Sequence, residues 1–269
     1  MNHPSSRKMP VVFVGHGSPQ NVLFDNNFTR DLKKLGQTLP SPRAILVISA
    51  HWLTKNTLVS CTEKPQTIYD FYGFPEEMYS IKYPCPGAPD LARRTKELIK
   101  KAPVICDMRW GLDHGAWTIL KHMYSKADIP VYQLSLDYQF HEWNPKPIQF
   151  YYELGKDLAP LRNQGVLIIG SGNITHNLGV VDFENIDAEP MGWAQDFDDQ
   201  VREALLNQDH SALINYNKFG KLAYLAVPTL DHYLPMIYVL GLQEKGENIT
   251  FFHEGFQYGS ISMRGFWIS

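Results

Sequence analysis

Val11–Pro19 has the sequence VVFVGHGSP, an apolar run that ends in a histidine held between two glycines. Short continuous runs rich in valine and isoleucine are typical of strands that are buried on both faces of a parallel sheet. We therefore predict a buried strand over Pro10–Val14, followed by a tight turn that presents His16. The same order, a buried strand and then a histidine, recurs along the chain and indicates the fold.

Four further strands and six helices are predicted around this first strand. The strands are Ala44–Ser49, Pro130–Leu136, Val166–Gly170 and Val104–Asp107. Apolar residues at helical spacing predict helices over Asp25–Gly36, Pro89–Lys101, Ala116–Tyr124, Pro147–Leu161, Trp193–Leu206 and Leu234–Leu242. This alternation indicates a single α/β domain over residues 9–269, with a mostly parallel central sheet flanked by helices on both faces. Residues 1–8 are predicted to be a disordered N-terminus.

The composition limits the classes of partner. The net charge of −3 argues against binding to nucleic acid or to an anionic membrane surface. No run approaches the ~18 apolar residues of a membrane-spanning helix, and the N-terminus lacks the apolar core of a secretion signal. The three cysteines, Cys61, Cys85 and Cys106, lack C-x-x-C spacing, so they indicate neither a disulfide framework nor a zinc-finger site. We expect a cytoplasmic protein.

Three histidines follow predicted strands. His16 follows the first strand, His51 follows Ala44–Ser49, and His176 lies shortly after Val166–Gly170. The carboxyl ends of parallel strands meet at one edge of a sheet, and α/β proteins place their sites there. The sequence therefore predicts a functional site at this edge, in which the three imidazoles are neighbours.

Two more histidines precede apolar helices. His114 in GLDHGAWTIL and His232 in TLDHYLPMIYVL each follow an aspartate. Several converging imidazoles are typical ligands of one divalent transition metal, such as Zn²⁺ or Fe²⁺. His232 could add a ligand to this site, or Asp231 could orient its ring. Alternatively, each histidine could be an ordinary hydrogen-bonded residue at the rim of the core.

The other five histidines lie in polar or loop contexts. Ordinary surface roles are expected for His3, His122, His141, His210 and His253.

Seven short motifs, in their order and spacing, resemble those of a known family. They are GHGSP (Gly15–Pro19), SAHW (Ser49–Trp52), YPCPGAP (Tyr83–Pro89), GLDHGAW (Gly111–Trp117), GSGNITHNL (Gly170–Leu178), HYLPMIYVLG (His232–Gly241) and GSISM (Gly259–Met263). From about Met9 to Gly265 the chain resembles the class III extradiol ring-cleavage dioxygenases, the superfamily of the protocatechuate 4,5-dioxygenase catalytic subunit. Within that superfamily it is more closely similar to the 4,5-DOPA dioxygenase extradiol group of bacteria and plants.

This resemblance implies one mononuclear metal site in a single α/β domain. The ligands of this metal would be His16, His51 and His232, and His176 would be either a further ligand or the catalytic acid/base. His114 is the second candidate for the acid/base. The protocatechuate branch has a glutamate at the position of His232, and its set of two histidines and one carboxylate is typical of non-haem Fe(II) oxygenases. An all-histidine set suits Zn²⁺ at least as well, so we expect Zn²⁺ as the bound species and Fe²⁺ as the ion for activity.

The implied function is that of an extradiol dioxygenase, which inserts O₂ into a DOPA-like catechol ring and produces a muconic semialdehyde. The expected partner is a small aromatic diol, with no nucleic acid and no membrane. The chain is expected to be a monomer or a small homo-oligomer. The motif YDFYGFP at Tyr69–Pro75 is interpreted either as an aromatic lid or as a packed surface loop.

Three other functions fit the same histidines. A zinc-dependent hydrolase would use the imidazoles to lower the pKa of a bound water. A chelatase-like metal-binding protein is suggested by the GHGS fragment alone. A non-catalytic metal-binding module would have a saturated coordination sphere with no open position.

Overall fold

An eight-stranded sheet lies at the centre of the computed structural model, which describes residues 8–138 and 146–269. The strands are β1 (Val11–Gly15), β2 (Ala44–Thr54), β3 (Thr57–Ser60), β4 (Val104–Asp107), β5 (Val131–Asp137), β6 (Val166–Gly172), β7 (Ile249–His253), β8 (Phe256–Gln257), β9 (Ile261–Ser262) and β10 (Gly265–Ile268). Their order in the central sheet is β4-β3-β5-β2-β6-β1-β10-β7, and β8 and β9 pair with each other. All five predicted strands are present.

The middle of the sheet is parallel. The neighbouring strands β5, β2, β6 and β1 all run in one direction. Antiparallel pairs occur only outside this centre, among them β3 with β5 on one side and β10 with β1 on the other, in the described part of the chain. The prediction of a mostly parallel sheet is confirmed, and the carboxyl ends of β1, β2 and β6 lie at one edge.

Helices cover both faces of the sheet. They are α1 (Asn27–Thr38), α2 (Pro89–Leu98), α3 (His114–Met123), α4 (Ile148–Asp157), α5 (Ala159–Arg162), α6 (Gly192–Leu206), α7 (His210–Ile214), α8 (Lys221–Ala226) and α9 (Leu234–Gly241). Val11 and Phe13 of β1 enter the core with α4, α6 and α9, whereas Val12 and Val14 enter a second core with α1 and α3. This alternation, which follows from the two-residue period of a strand, confirms a helical layer on each face.

Among the described residues, no helix is long and apolar enough to cross a membrane.

Some element boundaries differ from the prediction. The predicted helix Pro147–Leu161 is divided into α4 and α5, because Pro160 has no N–H with which to continue the hydrogen bonding of α4. The strand β2 continues past Ser49 to Thr54. The strands β3, β7 and β10 were not expected, since they depend on pairing with segments that are distant in sequence.

A disulfide joins Cys61 to Cys106, which corrects the expectation that the cysteines form no disulfide. The strands β3 and β4 pair in parallel, and the amide of Cys61 donates to the carbonyl of Asp107 at 2.8 Å. The two cysteines are 45 residues apart in sequence and become neighbours only through this pairing. Cys85 is free and buried. Because disulfides are rare in the cytosol, the cytoplasmic location loses one of its supports and stays a prediction.

The start of the described chain is tied to a buried ion pair. Arg162, whose side chain is fully buried, donates from Nη1 to Oε2 of Glu247 at 2.9 Å and from Nε to the carbonyl of Met9 at 2.8 Å. Lys8 also pairs with Glu247, at 2.8 Å. The rest of the predicted disordered segment, residues 1–7, lies outside the described residues.

Replacement of this buried carboxylate is expected to destabilise the fold. In Glu247→Gln the charge of Arg162 is buried without its partner, and the free energy of unfolding should fall by about 3–5 kcal/mol. Glu203, which is 63% exposed in its pair with Arg202, supplies the control, because Glu203→Gln should change the same quantity by less than about 1 kcal/mol. Urea titrations of the three proteins at pH 7 measure both changes, and equal stabilities would contradict the prediction.

The same ion pair sets a pH dependence. Burial alone would raise the pKa of Glu247, but hydrogen bonds from Arg162 and Lys8 outweigh it and lower the pKa to about 2, from an ordinary value of 4.5. The unfolded chain therefore binds a proton at this carboxyl before the folded chain does, and stability is lost as the pH falls from about 4.5 toward 2. Urea titrations over this range should show a smaller loss in Glu247→Gln than in the unmodified protein.

Candidate metal centre

Three of the predicted histidines lie near the carboxyl ends of β1, β2 and β6. His16 directly follows β1, and its amide donates to the carbonyl of Gly172 in β6 at 3.0 Å. His51 lies inside β2, where the register against β5 shifts between Ile48 and Leu53. Bulges of this kind redirect side chains at the edges of active sites. His176 lies beyond the end of β6.

The other two histidines reach the same place from helix starts. His114 is the first residue of α3, which is capped by the carboxylate of Asp113. His232 lies just before α9, and its carbonyl accepts from the amide of Asn173 at 2.9 Å, next to the end of β6. Both histidines follow an aspartate, but these aspartates act differently. Asp113 caps a helix, whereas Asp231 binds the ring of His232.

The five imidazoles form one cluster. The ring centroids of His16, His51 and His232 are 5.0, 5.0 and 5.3 Å apart, which places these three rings around a common point. Nε2 of His16 and Nε2 of His51 are 3.1 Å apart. Two ligand nitrogens at about 2.0–2.1 Å from one Zn²⁺ have a similar separation.

Hydrogen bonds at Nδ1 orient two of these rings. Ser171 Oγ donates to the carbonyl of Gly115 at 2.6 Å and therefore accepts from Nδ1 of His16, at 2.9 Å. Nδ1 of His232 donates to the carboxylate of Asp231 at 2.5 Å. In both rings the neutral form then keeps its lone pair on Nε2, the nitrogen that is free to bind a metal. Nε2 of His232 is buried and has no hydrogen-bond partner among the described residues, as expected for a metal ligand.

The surroundings of the cluster keep three of its imidazoles neutral. Burial lowers the pKa of His16, His51 and His176 well below the ordinary value of 6.5, and the neighbouring imidazoles lower it further. Burial alone would raise the pKa of Asp231, but its hydrogen bond with His232 outweighs burial, and the pKa is lowered to about 2. Three neutral imidazoles and one ionised carboxylate in the same cluster form a donor set that fits a divalent cation.

Two glycines allow the elements of the site to approach closely. A Cβ on Gly115 would lie 2.6 Å from Oγ of Ser49 and 3.1 Å from a ring carbon of His51. A Cβ on Gly172 would lie 2.1 Å from the carbonyl oxygen of His232. Neither contact leaves room for a side chain, so the packing of the cluster requires glycine at both positions.

His176 and His114 are placed differently from the three central rings. His176 stacks flat on His232, with ring centroids 3.4 Å apart and an interplanar angle of 8°. The lone pair of an imidazole lies in the plane of its ring. Since the two rings lie in separate parallel planes, the lone pair of His176 would not point at an ion that lies in the ring plane of His232. His114 has its centroid 3.8 Å from that of His51 and 5.7 Å from that of His16. By distance alone, ligand atoms of His16, His51 and His114, or of His176, Asp231 and His232, could each hold an ion.

The aromatic segment Tyr69–Pro75 packs against this cluster. The ring centroid of Phe71 lies 5.8 Å from that of His114 and 6.4 Å from that of Trp117. Asp70 accepts hydrogen bonds from the backbone and ring of His114. Asp70 and Ser171 were missed by sequence reasoning. The aspartate inside an aromatic motif was a signal for the first, but nothing local indicated the second.

The remaining histidines lie outside the cluster or outside the described residues. Nε2 of His122 donates to the carbonyl of Asn21, and His253 pairs with Asp31. His210 contacts Tyr152 and Gln243 through its two ring nitrogens. His3 and His141 are not among the described residues.

The family model of the catalytic LigB subunit of aromatic ring-opening dioxygenase matches residues 6–263, which include the whole histidine cluster. The chain belongs to this family. Since the match spans nearly the full chain, the cluster described above lies in the catalytic subunit fold of the LigB family.

Relatives of this LigB-family chain have a common name. This chain is 46% identical over 265 residues to "4,5-DOPA dioxygenase extradiol" of Escherichia coli (strain K12), across 96% of this chain and 94% of that protein. A protein of the same name from Beta vulgaris is 36% identical, across 93% of this chain and 92% of its own length. A crystal structure of a protein described as uncharacterized, from Escherichia coli K12, matches with a TM-score of 0.83 and 43% identity, over 97% of this chain and 100% of that chain.

These comparisons confirm the predicted class of enzyme, an extradiol dioxygenase. Membership of the LigB family implies a divalent metal, O₂ and an aromatic diol substrate. The comparisons do not support the zinc hydrolase or the chelatase.

Proposed function

We propose that this chain opens the ring of a DOPA-like catechol with O₂ at the histidine cluster. The observation that carries the proposal is the arrangement of His16, His51 and His232, three imidazoles around a common point at the carboxyl edge of a parallel sheet, of which the first and third are buried. The names of the Escherichia coli and Beta vulgaris relatives support a substrate of the DOPA type.

We assign Nε2 of His16, His51 and His232 as the metal ligands. The hydrogen bonds of Ser171 and Asp231 at Nδ1 support this assignment for two of the three. Three imidazoles without a carboxylate suit Zn²⁺ at least as well as Fe²⁺, so Zn²⁺ is the expected bound species. Fe²⁺ is the expected ion for activity, because Zn²⁺ has no redox chemistry.

The bound metal would supply a Lewis acid to the two diol oxygens and a route for electrons from the diol to O₂. His176 is assigned as the acid/base that takes a proton from a diol hydroxyl. Burial lowers the pKa of this ring, which keeps the ring neutral and leaves a lone pair free for the proton. The stacking of this ring on His232 supports an acid/base over a further ligand.

His114 is assigned to a second oxygen of the substrate. Its Nδ1 is bound to Asp70, which leaves Nε2 to hydrogen-bond the diol. Phe71 places an aromatic ring beside His114 and packs in turn on Trp117, and this apolar surface would exclude water from the reacting ring. The segment Tyr69–Pro75 then forms one wall of the proposed site.

Loading with Fe²⁺ is expected to produce catechol-dependent O₂ consumption. The protein is reconstituted without oxygen, mixed with L-DOPA or simpler catechols, and followed by an oxygen electrode and by the visible absorption of the ring-opened product. Zn²⁺-loaded protein is the matched control and should consume no O₂ above the protein-free rate. A panel of catechols without any Fe²⁺-dependent uptake would contradict ring cleavage, whereas uptake with every catechol except L-DOPA would contradict only the DOPA-like substrate.

A further inference from the structure

The segment Tyr69–Pro75 carries a carboxylate that reaches two imidazoles of the cluster. Asp70 Oδ1 accepts a hydrogen bond from the backbone N–H of His114 at 2.8 Å, and Oδ2 accepts one from Nδ1 of the same residue at 2.9 Å. Oδ2 also lies 3.6 Å from Nδ1 of His51. One side chain from a loop therefore faces rings that belong to α3 and to β2.

A hydrogen bond at Nδ1 determines what the other nitrogen of a neutral imidazole can do. With the proton of His114 on Nδ1, its lone pair is on Nε2. Oδ2 of Asp70 lies 3.6 Å from Nδ1 of His51, so a small movement of either side chain would form a hydrogen bond between them. Nε2 of His51 faces Nε2 of His16 at 3.1 Å. Carboxylates behind metal-binding histidines fix the ring orientation and raise the basicity of the ligand nitrogen.

The position of this carboxylate depends on the packing of its neighbours. Tyr69 donates its hydroxyl proton to the carbonyl of Ile81 at 2.8 Å, and its ring centroid lies 6.1 Å from that of Trp117. Phe71, on the other side of Asp70, packs on Trp117 as well. Asp70 can therefore contact the cluster only when the aromatic segment is docked on α3.

We propose that Asp70 is a positioning residue that orients His51 and His114 and couples the docking of Tyr69–Pro75 to metal binding. A bound metal requires the lone pair of His51 on Nε2, which places the proton of this ring on Nδ1, opposite Asp70. The docked segment and the loaded centre then stabilise each other. This inference rests on the proposed metal ligands, but not on the identity of the substrate.

The first test is the metal affinity of Asp70→Asn. The amide keeps the shape of the side chain but removes its charge and one of its two acceptor oxygens. We expect the Zn²⁺ affinity of the full chain, measured by competition with a chelator, to fall about 10- to 100-fold. The visible spectrum of the Co²⁺-loaded protein should also change, because it reports the geometry of the ligands.

Asp31→Asn is the matched control. Asp31 also pairs with Nδ1 of a histidine, His253, at 2.8 Å, but outside the cluster. This variant should bind Zn²⁺ and Co²⁺ as the unmodified protein does. Unchanged Zn²⁺ affinity and an unchanged Co²⁺ spectrum in Asp70→Asn would overturn the proposal, and so would a loss of thermal stability of the metal-free variant without a loss of affinity.

Hydrogen exchange tests the coupling to the segment. Bound Zn²⁺ should slow amide exchange over residues 69–75 in the unmodified protein and in Asp31→Asn, but not in Asp70→Asn. Equal protection by Zn²⁺ in all three proteins would refute the coupling. All these measurements are made without substrate, so a failure of the catechol assay would leave them interpretable.

Discussion

His16→Ala is expected to abolish tight metal binding and turnover together. The total binding free energy of structural zinc sites is about 10–16 kcal/mol over four ligands, or about 3 kcal/mol for each ligand. At about 1.4 kcal/mol for each factor of ten, the Zn²⁺ affinity should fall at least about 100-fold. His51→Ala should have a similar effect, since Nε2 of both rings faces the same point. Competition with a chelator and metal analysis of the purified variants measure the change.

The control for these variants is His253→Ala. His253 pairs with Asp31 and lies outside the cluster, so its removal should leave metal content and O₂ consumption unchanged. Circular dichroism of metal-free His16→Ala separates a lost ligand from a lost fold, because neither of the two cores on the faces of the sheet contains this ring. Full Zn²⁺ occupancy in folded His16→Ala would contradict the ligand assignment.

His176→Ala is expected to separate metal binding from turnover. Removal of a general acid/base typically lowers kcat about 100- to 10,000-fold. The metal affinity should change little, because the ring of His176 lies flat on His232 and its lone pairs do not point at an ion in the plane of that ring. Catechol-dependent O₂ consumption by the Fe²⁺-loaded variant and chelator competition measure the two quantities independently.

The outcome of this experiment decides between the two roles that the sequence left open. Loss of Zn²⁺ affinity comparable to that of His16→Ala would identify His176 as a ligand. Normal metal affinity with normal kcat would show that His176 is neither a ligand nor the acid/base, and His114 would then become the acid/base to test. His253→Ala again serves as the reference for a histidine outside the cluster.

The centre of the fold could be predicted from sequence because its signals are local. The strands β1 and β6 are buried along their whole length, and each begins with four consecutive apolar residues that can be recognised without the neighbouring strands. The strands β7 and β10 carry weaker signals, because β7 is only partly buried and β10 has only four residues. Whether such a segment forms a strand depends on its pairing with segments that are distant in sequence.

The disulfide also depends on the pairing of segments that are distant in sequence, so local patterns did not predict it. Cys61 follows β3 and Cys106 lies in β4, and only the parallel pairing of these strands brings the two sulfurs together. Their separation of 45 residues matches no short motif. Asp70 and Ser171 were missed for a related reason, since each acts on a histidine that is distant in sequence, His114 and His16 respectively.

The sequence by itself determined which residues can reach the site. His16, His51 and His176 follow or extend buried strands, and parallel strands bring their carboxyl ends to one edge whatever the details of the loops. Only the tertiary structure decided how the rings face one another. The direction of an imidazole lone pair depends on its side-chain rotation and on its partner at Nδ1, and for His16 that partner, Ser171, is 155 residues away. The same imidazole at the end of a strand can therefore be a ligand or an acid/base, and contacts from the rest of the fold make that choice.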